Sequence, residues 1–211
     1  MSDKHLAEGL RIAGLPDGRK APDEPPQGGM REAAWVGDVL RFWFEELSEQ
    51  DWFAKNAALD ARIRERFLSL HESLAGDAVA VDATLRAILA AVIALDQFPR
   101  NMFRSNTRAY ATDATARRWA RSAIERGFDA GLADVERLVL YMPLEHSEDA
   151  QDQALALDLM EPLGHAEWTR EARMHKEVID RFGRFPHRNA MLGRESTAEE
   201  TEFLGKPLEW Y

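Results

Sequence analysis

Apolar residues recur at spacings of three and four along most of this chain. Trp35, Val36, Val39, Leu40, Trp43, Phe44 and Leu47 line one face of an amphipathic helix. Ser48 with Asp51 three residues later opens a short further turn in the manner of a capping box. Leu59, Ile63, Phe67, Leu70 and Leu74 mark a second helix that Gly76 is placed to end. Leu85, Ile88, Leu89, Val92 and Ile93 mark a third, expected to stop before Pro99. A fourth spans about 107–126 and ends at Gly127, and a short fifth runs over 132–141. Pro143 sits in the first turn of a sixth, and a seventh covers 163–182 up to Gly183. Ser196 with Glu199, or Thr197 with Glu200, caps a last helix closed by Gly205 and Pro207. The one strand-like run, Ala78-Val79-Ala80-Val81, is too short to compete. The pattern predicts an all-α protein in which helices are paired by short connectors.

Residues 1–29 break this pattern. Pro16, Gly18, Pro22, Pro25, Pro26, Gly28 and Gly29 punctuate them, so they read as a flexible tail before a single helical domain over 30–211. Composition narrows the function classes. With 45% hydrophobic and 30% charged residues the chain has the make-up of a globular protein, and no run of 18 apolar residues is present to cross a membrane. The start of the chain lacks the apolar stretch of a secretory signal, and a cytoplasmic location is expected. Zero cysteines exclude disulfides and thiolate chemistry. A net charge of −10 opposes nucleic acid, so an anion site must be a local arginine cluster working against the overall field.

Three polar nodes interrupt the helical pattern, each beside a proline. The first is Asp96-Gln97-Phe98-Pro99-Arg100-Asn101 with Arg104. The second is Pro143-Leu144-Glu145-His146-Ser147-Glu148-Asp149. The third is Gly183-Arg184-Phe185-Pro186-His187-Arg188-Asn189 with Gly193-Arg194. Together with the aromatic openers Phe42-Trp43-Phe44 and Trp52-Phe53, they resemble the motifs of a bacterial family, number 924 of the domains of unknown function. The resemblance spans roughly residues 33–204. It implies an irregular α–α superhelical array of about eight or nine helices, close to the tetratricopeptide-like folds, and it carries no established activity.

Asp96 continues the buried stripe of the third helix through Val92 and Ile93. A carboxylate placed there needs a cation, which Arg100, Arg184 or Arg188 can supply through a planar fork. An architectural ion pair is the competing reading. Leu144, Glu148, Gln151 and Leu155 share one face of the helix expected after Pro143, which sets Glu148 and Gln151 where core residues belong. In that helix, acids in the first turn are favoured by the dipole whatever their role.

The leading expectation is a cleft that binds a small anionic molecule or an acidic peptide end. Arg100, Arg104, Arg184, Arg188, Arg194 and Asn189 would supply its polar contacts, and Phe98, Phe185 and Trp43 its apolar wall. Asp96 and Glu148 would orient the arginines. A second expectation is an enzyme using the same cleft, with His146 or His187 as acid or base and Asp96 or Glu148 as its orienting carboxylate. A third is a scaffold for a protein partner, its polar network purely structural. No spacing of HExxH, GxSxG, GxGxxG or P-loop type is present, so no metal, cofactor or nucleotide is expected.

Overall fold

The computed structural model describes residues 32–76 and 84–206. The expected tail, the strand-like run over 78–81 and the closing Pro207 lie outside these residues. The described chain is all-α and contains no strand. Its helices are α1 (Ala34–Arg41), α2 (Glu49–Phe53), α3 (Ala57–Ala75), α4 (Leu85–Val92) and α5 (Phe98–Met102), followed by α6 (Asp113–Glu125), α7 (Asp134–Glu145), α8 (Ala150–Met160), α9 (Ala166–Phe182) and α10 (Ala198–Leu204).

Local chemistry explains most of the boundaries. Asn56 caps α3 by accepting from the amides of Ala58 and Leu59 at 3.0 and 3.2 Å. Asp149 caps α8 through Gln151 and Asp152. Both predicted boxes form, Ser48/Asp51 before α2 and Thr197/Glu200 before α10. Gly183 ends α9 with a φ of 66°, which a side-chain-bearing residue adopts only under strain.

The spine of the molecule is α4 and α5, joined by a π-helical turn over Ile93–Gln97. All residues from Ala87 to Pro99 are buried. Asp96 is therefore buried because this helix is enclosed on every side, not because it continues a single stripe. The helix also does not stop before Pro99. The π turn frees backbone carbonyls, Pro99 brings no amide to meet them, and three side chains, two of them from other elements, take over. His71 donates its Nδ1–H to the Ala94 carbonyl at 3.0 Å, Thr112 Oγ1 donates to Leu95 at 2.6 Å, and Arg100 donates to Asp96. Aromatic rings pack beside this spine, with Phe67 stacked on Phe98 at 4.6 Å and Trp43 on Trp52 at 5.3 Å.

Three other expectations change. The break between the fifth and sixth helices falls later than expected: α7 carries Pro143 inside it and runs on to Glu145, and α8 takes the rest of the expected sixth helix. Glu145 and His146 therefore stand at a helix C-terminus, where the dipole disfavours an acid. The face shared by Leu144, Glu148 and Gln151 does not exist, because Ser147 and Glu148 lie in the break before α8. Gln151 is exposed, whereas its neighbours Asp152 and Gln153 are buried. Finally, the predicted fourth helix is split into a 3-10 turn over Thr107–Tyr110 and α6.

Candidate functional site

The π turn aims Asp96 at the junction of α5, α6, α7 and α9. Asp96 is fully buried, and its carboxylate meets three side chains. His146 Nδ1 lies 3.0 and 2.8 Å from its two oxygens, Arg100 Nη1 is 3.2 Å away, and Gln97 Nε2 donates at 2.6 Å. Burial alone would raise this carboxyl, but Arg100 and His146 hold it down at about 2. Its ionised oxygens only accept, so His146 carries its proton on Nδ1 and presents Nε2 as a base.

Arg100 also reaches α6, donating from Nη1 and Nη2 to the two oxygens of Asp113 at 3.1 Å each. This planar two-point contact fixes the guanidinium. Burial raises the Asp113 carboxyl, against the pull of Arg100. Arg188 approaches the same carboxylate at 3.5 Å. It lies 4.6 Å from the centre of each of the Tyr110 and Phe185 rings. Arg188 is 7% exposed, and its Nε has no hydrogen-bond partner. Burial, reinforced by the charge of Arg100, lowers its affinity for the proton.

Histidines complete the cluster. His175 on α9 stands edge-on to His146, with ring centres 6.4 Å apart, and edge-on to Phe185 at 5.6 Å. It donates from Nδ1 to the Glu171 carbonyl at 2.9 Å. Burial, then repulsion by His146, takes it down to about 4. Burial and the charge of Arg188 take His187 down to about 3. His146 is lowered in the same way, by burial and by Arg100 against the pull of Asp96. All three rings are neutral near pH 7. Glu145 lies beside His175, 3.9 Å from its Nδ1, with Oε1 buried and without a hydrogen-bond partner. Burial, with Glu171 and Asp96 nearby, pushes it up to about 8.

The residues singled out in the sequence divide into two groups. Asp96, Arg100, His146, Phe185, His187 and Arg188 meet in this cluster. The others are engaged elsewhere. Arg104 pairs with Asp60, and Arg184 with Glu200 at 2.6 and 2.8 Å. Arg194 is held by Glu148 at 2.7 and 2.9 Å. Glu148 therefore orients Arg194 rather than Arg184 or Arg188, and also accepts from the Phe185 amide at 2.8 Å. Asn189 is buried and donates to Ser196, while Trp43 and Phe98 belong to the aromatic core.

Asp113, Tyr110 and His175 are part of the cluster and carry no local motif. His175 alone left a trace, since it shares a helical stripe with Val178, Ile179 and Phe182. The site is only partly open to solvent. Two surface hollows, about 390 Å³ beside Phe44, Leu47 and Trp52 and about 330 Å³ beside Arg62 and Arg66, lie elsewhere. Access is through the narrow 13–22% of side-chain surface that His146, His175, Asp113 and Arg100 each expose.

The chain is similar to the solved structure of a protein of unknown function from Agrobacterium tumefaciens, with 39% identity and a TM-score of 0.76 over 81% of this chain and 97% of that one. No curated protein matches it. The description "Bacterial protein of unknown function (DUF924)" matches residues 39–207, and the chain belongs to that family.

Proposed function

We propose that the cluster binds a small anion, a carboxylate or a phosphate group, with Arg188 as its principal partner and Arg100 beside it. Arg188 carries the reading. A guanidinium has five N–H donors, and this one is nine-tenths buried with an unpartnered Nε and a single 3.5 Å approach to Asp113. Both oxygens of Asp113 are already held by Arg100. Formal charge is balanced, two carboxylates against two guanidiniums, but the donors are not saturated, and a buried donor left unmatched is costly. An anion entering beside Tyr110 and Phe185 would satisfy them. The narrow access suits a small molecule or a single terminal carboxylate.

The pairing of Asp96 with His146 favours a second reading, a metal-independent enzyme acting on the bound anion. A buried carboxylate fixes the tautomer and leaves His146 Nε2 basic, which is the arrangement a general base requires. The tetratricopeptide-like superhelix belongs to the same proposal. It is supported by the chain-order packing of α6 on α7, α7 on α8 and α8 on α9.

Calorimetric titration with phosphate and citrate tests the anion reading. Arg188→Lys keeps the charge and loses the planar fork, so affinity should fall roughly ten- to a hundredfold, the worth of one charge-assisted two-point contact. Arg184→Lys, at a guanidinium already held by Glu200, should leave affinity unchanged. If the parent binds neither anion and Arg188→Lys only destabilises it, the scaffold reading survives instead.

A further inference from the structure

Glu145 has no place in the anion reading so far, yet its setting is unusual. It is 5% exposed, with Oε1 lacking a partner and, among the described residues, no lysine or arginine paired with it. The groups facing it can be named element by element. Asp96 comes from the π turn, and Glu171 and His175 come from α9. Arg100 is held by Asp96 and Asp113, and Arg188 approaches Asp113, so neither pairs with Glu145. Two acids and one histidine thus face this carboxyl, and neither arginine of the cluster pairs with it.

We propose that the ionisation of Glu145 sets whether the anion site is open: the site accepts an anion while Glu145 is a neutral acid and rejects it once Glu145 is a carboxylate. The inference rests on the anion reading above. The neutral form leaves the cluster with Asp96 and Asp113 against Arg100 and Arg188. The ionised form adds a third carboxylate behind the His146–His175 pair, with no cation to match it. In general a unit charge within about 10 Å of an anion, at an effective dielectric near 20, weakens its binding by roughly tenfold or more. The site should therefore close as pH rises through about 8, where burial and the neighbouring acids place this carboxyl. Closing needs no moving part.

Sulfate is the probe, because its charge is constant across this range and that of phosphate is not. Sulfate affinity of the full chain is measured by calorimetry from pH 6.5 to 9.5, with thermal melts confirming that the protein stays folded. The expected result is a drop of tenfold or more centred near pH 8, abolished in Glu145→Gln, which keeps the shape and cannot ionise. Glu171→Gln provides a second arm should the first variant fold poorly. Removing a neighbouring acid makes Glu145 easier to ionise, so the drop should move to lower pH with the plateau below it unchanged. A parent that binds sulfate equally at pH 7 and 9.5 overturns the gate and leaves the anion site standing. The same drop persisting in Glu145→Gln, or an unmoved midpoint in Glu171→Gln, also overturns it. Absence of sulfate binding at every pH overturns the anion reading itself, and the gate with it.

Discussion

Asp96 illustrates how one buried charge can organise several elements. Its carboxylate is wholly removed from water, which is tolerable only because Arg100, His146 and Gln97 all contact it. Replacing it with Ala removes the common side-chain acceptor, leaving Arg100 with Asp113 and the backbone carbonyl at 96 and His146 without its carboxylate. Stability should fall by about 3–5 kcal/mol, as for other buried pairs broken from one side. Denaturant titration measures this. A loss below about 1 kcal/mol would mean that water repairs the gap, as at an exposed pair. Asp96→Asn is the informative companion. It retains the volume but not the charge, so the Nδ1 tautomer of His146 would no longer be enforced.

Among the elements, α6 is attached at its start and along its middle by carboxylates meeting arginines. Asp113 in its first turn takes Arg100, while Arg117 and Arg121, one turn apart, converge on the buried Asp152 of α8. Ser147 also donates to Asp152 at 2.6 Å, tying in the break between α7 and α8. Asp152→Ala should cost about 3 kcal/mol, near the low end for a broken buried pair, because both arginines are one-third exposed and can turn to water. Amide exchange should rise most at 146–153 in α8 and its preceding break. Uniform exchange across the chain would show that this staple does not govern that segment.

The elements also show which features were legible in the sequence. Periodicity located the long helices and the capping boxes, because each depends on residues within a turn or two of one another. The π turn was not legible, since it is sustained by His71 and Thr112, which lie 23 and 17 residues from the carbonyls they satisfy. Pro143 misled for a related reason. Proline often begins a helix, and only tertiary packing retains it inside one. Of the site, the motif-bearing half was readable as polar residues beside prolines. Asp113, Tyr110 and His175 were not, because each sits in an ordinary helical context and gains its role from what packs against it. The partners of Arg104, Arg184 and Arg194 also come from distant segments, so an arginine-rich stretch alone could not reveal which guanidinium was underpaired.

For the whole molecule, the buried titratable groups act in opposition, and the balance fixes where the fold is most stable. His175 and His187 have ordinary values of 6.5 and fall to about 4 and about 3 in the folded chain. Between those limits the unfolded chain binds more protons, so stability rises with pH up to about 6.5. His146, also lowered, acts in the same direction. Glu145 acts against them. Its ordinary 4.5 rises to about 8, so the folded chain holds the extra proton and stability falls with pH across that window. Between 4.5 and 6.5 two or three histidines outweigh one carboxyl, and above 6.5 the carboxyl acts alone. A maximum near pH 6.5 should result, with a loss of about 1–2 kcal/mol by pH 8 at 1.36 kcal/mol per proton per pH unit. Urea midpoints measured from pH 4.5 to 8.5 would trace this curve. Glu145→Gln should flatten the alkaline side and leave the acid side in place. A parent whose midpoint keeps rising to pH 8, or a variant with the parent's alkaline slope, would show that Glu145 is already ionised at neutral pH.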